Sequence, residues 1–211
     1  MVARGEPGRQ AGLGVSQIDP SHADLGESKL LGPAAQFDQQ LRTVDRSMAL
    51  LTHLPILETR TFDWPSEVAC AVFALRLAAV PALRASTFIA LSGALGAGKT
   101  TFVRHLLRGL GVQGRIKSPT FAVLEPYVVN GLAVSHFDFY RFESAREWAD
   151  AGFRDIFAAT GLKLVEWPEN AGAVVPAADW AMAIEALDDD LRRVTVNAHT
   201  EQGLHLLEGM A

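Results

Sequence analysis

The chain has 211 residues, of which 49% are hydrophobic and 20% charged, and its formal net charge is −5. This length and hydrophobic content suffice for one sizeable core. The mildly acidic balance lacks the basic excess of a protein that binds nucleic acid unaided, because neutralising phosphates requires clustered Lys and Arg. The single cysteine, Cys70, excludes an internal disulfide and a cysteine-based zinc site.

The N-terminal segment differs in composition from the rest of the chain. Residues 1 to about 47 are rich in Gly, Pro, Ser, Gln and charge, without a sustained hydrophobic period. Such a segment cannot bury enough apolar surface to offset its ordering entropy, so residues 1–55 are expected to form a disordered extension. A start at Met48 is the alternative, since a denser stretch begins there. The domain is predicted over 56–200, with a C-terminal tail over 201–211.

Export and membrane signals are not recognisable in the sequence. The N-terminus lacks the apolar region of a secretory signal, and the most apolar stretch is interrupted by Arg76 and Pro81. That stretch is also shorter than the ~20 residues that a bilayer requires. We therefore expect a cytoplasmic protein.

Three elements are predicted before the glycine-rich loop. "ETRTF" alternates like a short strand, and "DWPSEVACAVFALRLAAV" opens like a helix that Asp63 or Ser66 can cap. "STFIALSG" has the apolar centre of a strand that is buried on both faces of a parallel sheet. The predicted apolar face of the helix consists of Val68, Val72, Phe73, Leu75, Leu77 and Val80.

Helices and strands alternate after the loop. "KTTFVRHLLRGLG" predicts an amphipathic helix that ends at Gly111. "FAVLEPYVV" and "LAVSHFDFY" predict a hairpin, because Asn130-Gly131 between them suits a type I′ turn. A helix with a break near Gly152, the buried strand "GLKLVEW" and a closing hairpin of "DWAMAIEAL" and "LRRVTVNAH" follow. The residues predicted to be buried on the helix "KTTFVRHLLRGLG" are Phe102, Val103, Leu106, Leu107 and Leu110.

The loop itself, "GALGAGKT", fits the phosphate-binding pattern of Gly93, four further residues, Gly98, Lys99 and Thr100. Backbone N–H groups in such a loop cradle phosphate, and the following helix adds its positive N-terminal end. Lys99 would reach the β- and γ-phosphates, and the Thr100 hydroxyl would take a Mg²⁺ position. The pattern and its context predict an α/β fold with a mixed sheet flanked by helices, like that of P-loop NTPases. The predicted nucleotide-binding residues of the loop are Leu95, Gly96, Ala97, Gly98, Lys99 and Thr100.

A Mg-nucleotide site also needs a carboxylate at the end of a neighbouring strand. Asp138 and Glu166 each end an apolar run, so both are candidates; the alternative for either is a capping or ion-paired carboxylate. In "KSPTF", Thr120 could sense γ-phosphate in a switch-like segment, or the segment is an ordinary Ser-Pro turn. His136 is expected to be packed in the core and not to be a ligand.

The order of "GALGAGKTTFVRHLLRGLG", "KSPTFAVLEPY", "HFDFYRF", "AREWADAGFRDIF" and "LVEWPEN" resembles the TsaE (YjeE) family of small bacterial ATPases, over about residues 60 to 198. That family is required for the threonylcarbamoyl modification of the adenosine beside the tRNA anticodon. The resemblance implies ATP and Mg²⁺ as cofactors, with TsaD and TsaB as protein partners and tRNA reached only through their complex. It implies Thr100 and Glu166 as Mg²⁺ ligands, and nucleotide contacts from Asp138. Further residues suggested by the resemblance are Ser66 and Arg192 at the nucleotide and Trp167 beside the site.

These residues together predict an ATPase whose hydrolysis resets a protein complex. Lys99 would offset developing charge, and Asp138 would orient or deprotonate the attacking water. Arg141 is a candidate arginine finger; otherwise a partner supplies the positive charge, so turnover alone should be slow. Two alternatives are a small-molecule kinase that uses Asp138 as base and a nucleotide sensor that does not hydrolyse.

Overall fold

The computed structural model describes residues 54–142, 145–187 and 190–211, which belong to one compact unit, Gln40–Ala211. The expected disorder of the N-terminal extension and the alternative start at Met48 concern residues that lie outside this description, apart from positions 54 and 55. Within the described ranges, no helix is both long enough and apolar enough to cross a bilayer.

A mixed sheet of seven strands forms the centre of the fold. The sheet order is β1-β7-β6-β2-β5-β4-β3, in which the four central strands run parallel and the pairs at both edges are antiparallel. This arrangement confirms the predicted mixed α/β sheet with two hairpins. The strands are β1 (Glu58–Trp64), β2 (Thr87–Ser92), β3 (Leu124–Val129), β4 (Leu132–Asp138), β5 (Leu162–Glu166), β6 (Trp180–Ala186) and β7 (Arg192–Ala198).

Helices cover both faces of the sheet, because the central strands are apolar on both sides. Along β2, Ile89 and Leu91 pack in the core beneath the first, second and last helices, whereas Phe88 and Ala90 pack in an aromatic core on the other face. The helices are α1 (Glu67–Ala79), α2 (Lys99–Leu110), α3 (Ala145–Asp150), α4 (Phe153–Ala158), α5 (Pro168–Ala171) and α6 (Glu201–Gly209).

The register of the parallel strands brings their carboxyl ends to one level. Glu166 at the end of β5 pairs with Leu91 of β2 on one side and with Asp138 of β4 on the other. The loop that follows β2 begins at this same edge. Ligands commonly bind at the carboxyl edge of a parallel sheet, so this register positions a candidate site.

Helix α1 differs from its prediction in the face that it buries. Ser66, not Asp63, caps the helix: its Oγ accepts a hydrogen bond from Ala69 N at 3.3 Å. Of the predicted apolar face, Val68, Val72 and Leu75 are exposed. The helix carries apolar residues all round, and small side chains let it pack closely on α2 at Gly109. The buried residues of α1 are Cys70, Phe73, Ala74, Leu77 and Ala78.

Helix α2 and the following hairpin match their predictions closely. The five predicted apolar residues of α2 are all buried, and Gly111 ends the helix in the left-handed conformation at φ 108°. Asn130 and Gly131 have φ of 49° and 77°, as a type I′ turn requires. Strand β3 of this hairpin starts at Leu124, later than predicted, because Val123 N donates to Pro119 O at 2.6 Å and closes a turn before it.

The C-terminal segment, expected as a tail, forms helix α6 against the core. Thr200 caps it by accepting a hydrogen bond from Gly203 N at 3.1 Å. Leu206 and Leu207 are fully buried, and the Trp180 indole N–H donates to Gly203 O at 2.8 Å. The helix therefore covers one end of the sheet face and belongs to the domain.

Candidate nucleotide site

The glycine loop joins the central strand β2 directly to helix α2, as the sequence predicts. Gly93, Gly96 and Gly98 have φ of 136°, 81° and 111°, a region that other residues rarely adopt. A Cβ at Gly93 would also collide with the backbone oxygen of Ile184 on β6. The backbone N–H groups at the start of α2 have no partners within the helix, so this end suits an anion. Leu95, at the tip of the loop, is 76% exposed.

Lys99 folds back over the loop. Its ammonium donates to Gly93 O at 2.6 Å and Ala94 O at 3.0 Å. The same nitrogen lies 3.7 Å from the centroid of the Trp167 ring, which gives a cation–π contact. These contacts satisfy the buried ammonium, and they place Lys99 directly at the loop.

The electrostatic surroundings of Lys99 are mixed. Burial lowers the pKa of its ammonium, while the nearby carboxylates of Glu166, Glu169 and Asp138 act in the opposite direction. Two of these carboxylates, Glu166 and Asp138, are themselves buried. The site therefore confines one cation and two anions in a small volume that is shielded from water.

Thr100, Glu166 and His136 form a chain of hydrogen bonds at the end of β5. The Thr100 hydroxyl donates to Glu166 Oε2 at 2.8 Å, and His136 Nε2 lies 2.9 Å from Glu166 Oε1. The carboxylate is an acceptor, so His136 Nε2 carries the proton. His136 is fully buried, and its Nδ1 has no partner among the described residues.

His136 is a residue whose contact the sequence analysis did not anticipate. It is packed, as expected, but it also holds one oxygen of Glu166. Strand alternation could have indicated this, since His136 and Asp138 point to the same face of β4. Which residue of β5 lies opposite could not be read from the sequence, because strand register is a long-range property.

Asp138 ties the segment 117–123 to the sheet. Its Oδ2 accepts hydrogen bonds from the hydroxyls of Thr120, at 2.7 Å, and of Ser118. Its Oδ1 accepts from Tyr140 N at 2.9 Å. The Thr120 hydroxyl thus lies in contact with a candidate catalytic carboxylate; that it senses γ-phosphate stays a prediction.

Trp167 follows Glu166 in a strained conformation. Its φ is 59°, uncommon for a bulky residue, and its N–H donates to Leu91 O at 3.1 Å. The ring packs against Tyr140, with centroids 5.0 Å apart, and contacts Lys99. Such strain is often retained at functional sites, and here it presents the indole to the phosphate loop.

A pocket opens on the other side of the loop, where β1 passes into α1. It contains Ser66 and Arg192 together with Gly96 and Gly98, so these distant residues meet at the loop. Arg192 Nε also donates to Ala97 O at 3.2 Å. The remaining lining residues are Trp64, Glu67, Cys70, Ala97, Thr101 and Asp190.

Cys70 lines this pocket as a neutral thiol. Burial, and secondarily the charge of Glu67, raise its pKa to about 12. A thiolate is the reactive form of cysteine, so Cys70 acts here as a small apolar group.

Arg141 does not join this constellation. Its guanidinium lies over the exposed ring of Phe121, 4.2 Å from the centroid. Among the described residues, it forms no hydrogen bond or ion pair with the loop. Its suggested role as an arginine finger stays a prediction.

A central parallel strand, a glycine loop and a helix that starts with Lys99 and Thr100 define a P-loop NTPase fold. The family model "Threonylcarbamoyl adenosine biosynthesis protein TsaE" matches residues 65–194, and the chain belongs to the TsaE family.

Named relatives agree with this membership. The chain is 38% identical over 121 residues to the tRNA threonylcarbamoyladenosine biosynthesis protein TsaE of Haemophilus influenzae, covering 57% of this chain and 76% of the relative. It is 37% identical to TsaE of Treponema pallidum over 54% of this chain and 84% of the relative. The crystal structure of Bacillus subtilis YdiB superposes with a TM-score of 0.59 at 25% identity, covering 72% of this chain and 94% of that chain.

Proposed function

We propose that this chain is a Mg²⁺-dependent ATPase of tRNA threonylcarbamoyladenosine biosynthesis. Family membership and the names of the relatives support the pathway. The observation that carries the chemistry is the contact of Thr100 with Glu166 beside Lys99, at the carboxyl edge of the sheet. In P-loop NTPases, a loop hydroxyl and a strand carboxylate hold Mg²⁺ in this manner.

The donor set fits Mg²⁺ bound with a nucleotide. Thr100 and Glu166 offer oxygen atoms, which this ion prefers, and the carboxylate is buried and already oriented. In the described ranges, no group of three or more His, Cys, Asp or Glu side chains could hold a metal. Two protein ligands suffice, since phosphates and water complete the shell of a nucleotide-bound Mg²⁺. The bound ion would neutralise charge that develops on the phosphates.

The loop residues would bind the triphosphate. The backbone N–H groups from Leu95 to Thr100 would cradle it, and Lys99 would exchange the Gly93 and Ala94 carbonyls for phosphate oxygens. Ser66 and Arg192 would contact the nucleoside side from the adjoining pocket.

Asp138 would orient or deprotonate the attacking water. It lies beside Glu166 in the sheet register, and its Oδ2 is bonded by the hydroxyls of Ser118 and Thr120. A water or phosphate that replaces either hydroxyl would couple the segment 117–123 to the nucleotide state. Hydrolysis would in this way reset a TsaD–TsaB complex, and we expect these partners to stimulate a slow basal turnover.

Reconstituted tRNA modification tests this function. The reaction contains the TsaD–TsaB complex in an amount well below that of tRNA. We expect modified tRNA to accumulate beyond the first turnover only when this protein and ATP are present. Lys99→Ala should abolish this support, because it removes the cation at the phosphates. Equal accumulation without the protein, or transfer of γ-phosphate to a metabolite in place of its release, would refute the proposal.

His136 is expected to act as a positioning residue for Glu166. His136→Ala should weaken Mn²⁺ or Mg²⁺ affinity of the nucleotide complex by about tenfold or more, as loss of an outer-shell partner does. His136→Gln, which keeps a donor, should recover part of that affinity. Metal titration of a fluorescent nucleotide complex measures it, with metal-free nucleotide affinity as the control. Unchanged metal affinity in His136→Ala would contradict the role.

A further inference from the structure

A basic groove of about 520 Å³ lies beside Thr100 of the candidate nucleotide site. It runs between helix α2 and the segment that follows it, and it shares Thr100 and Ser118 with the nucleotide site. The groove is lined by Thr100, Arg104, Arg108, Arg115, Lys117 and Ser118, with buried Ile116 at its base.

The four cations of the groove form no ion pair with the described residues. None of its four cations, Arg104, Arg108, Arg115 and Lys117, has a carboxylate within ion-pair distance there, and no acidic residue lines the groove. Arg104 and Arg108 are one helical turn apart, a spacing at which like charges repel. A chain of net charge −5 thus collects positive charge at one place, which favours an anionic ligand.

An exposed aromatic platform lies a few residues along the same segment. Phe121 is 83% exposed, and Arg141 stacks on its ring at 4.2 Å. Unstacked bases of single-stranded RNA bind to such aromatic and guanidinium planes. Phe121 follows Ser118 of the groove by three residues. Basic side chains combined with an exposed aromatic ring are what proteins use to bind single strands.

We propose that the basic groove binds the phosphate backbone of an unpaired RNA segment, with a base stacked on Phe121. Three of the four cations are arginines, whose guanidinium groups match phosphate geometry. An interface for an acidic protein would need an apolar centre, which this polar groove lacks. The low overall basicity and the resemblance both predicted that tRNA is reached only through the partner proteins; this proposal departs from that expectation because the local cluster of cations is what matters for phosphate contacts. Only the choice of tRNA as the probe rests on the proposed function.

The test is fluorescence anisotropy of a labelled tRNA anticodon stem-loop from 50 to 200 mM salt. Four phosphate contacts predict a slope of log K against log salt of about −3, at ~0.7 per contact. Arg108→Glu with Arg115→Glu should lower affinity at least about tenfold at low salt and roughly halve the slope. The matched control, Arg84→Glu with Arg154→Glu, changes net charge equally outside the groove and should leave affinity within about twofold.

Phe121→Ala isolates the stacking platform. It removes no charge, so affinity should fall about fivefold or more while the salt slope stays unchanged. Thermal melting and ATP affinity of the groove variants should match the wild type, since Arg108 and Arg115 are exposed and outside the phosphate loop.

Three results would overturn the proposal: no RNA binding at 50 mM salt, equal losses in the two charge-reversal pairs, or groove-dependent binding of polyglutamate without RNA binding. The last would assign the groove to an acidic protein segment. If the wild-type protein bound RNA through the groove but did not support tRNA modification, the result would instead count against the proposed function.

Discussion

Replacing Glu166 with Gln is expected to lower ATP hydrolysis by about a hundredfold or more, the scale on which a lost charge-stabilising group acts. The amide keeps the size of the side chain but removes the negative charge that would hold Mg²⁺. The neighbouring Thr100 hydroxyl and His136 ring would then face an uncharged group. Nucleotide binding through the loop should persist more weakly, because Lys99 and the backbone N–H groups remain.

Steady-state phosphate release and nucleotide titration measure the two effects separately. Glu125→Gln, an exposed carboxylate on the edge strand β3, is the matched control and should retain the wild-type rate. If Glu166→Gln hydrolysed ATP at a rate within about threefold of wild type, Glu166 would not be a catalytic residue. If Glu166→Ala lost hydrolysis yet still supported tRNA modification over many turnovers, the chain would be a nucleotide sensor.

Gly93→Ala is expected to be the most damaging substitution for the fold near the site. It combines a left-handed backbone at φ 136° with a collision between the new Cβ and the backbone oxygen of Ile184. Backbone strain of this kind costs about 1–3 kcal/mol, and the collision forces β2 and β6 apart in addition. We expect a total loss of about 4 kcal/mol or more in the free energy of unfolding.

Gly114→Ala is a control that introduces backbone strain at a positive φ without a steric collision. Gly114 also has positive φ, at 87°, but no atom lies within 4 Å of the position that a Cβ would take there, so the expected loss is about 1–2 kcal/mol. Urea unfolding followed by tryptophan fluorescence compares the two variants. Equal losses in both would show that the close approach to Ile184 does not constrain the loop.

Short contiguous motifs and the amphipathic helix α2 were predictable from the sequence. The glycine loop needs its residue types at fixed spacing, and α2 buries its five predicted residues because its opposite face is polar. Asn130-Gly131 turns the hairpin, since its conformation is set by the two residues themselves. Family membership follows from the same short motifs, which are contiguous in the chain.

Long-range packing determined the rest. Helix α1 is apolar all round, so only its neighbours select the buried face and leave Val68 and Leu75 exposed. The C-terminal segment is helical because Thr200 caps it and the sheet covers its leucines, which a short isolated helix could not achieve.

The same distinction applies to the site. The residue pattern alone left both Asp138 and Glu166 as candidates, and only the resemblance assigned the Mg²⁺ to Glu166. In the structure, strand register places Glu166 against Thr100 and ties Asp138 to Thr120. The contact of His136 with Glu166 depends on that register as well. Motifs identify which groups are available, whereas strand pairing between distant segments sets which groups touch, because register has no local signature in an apolar strand.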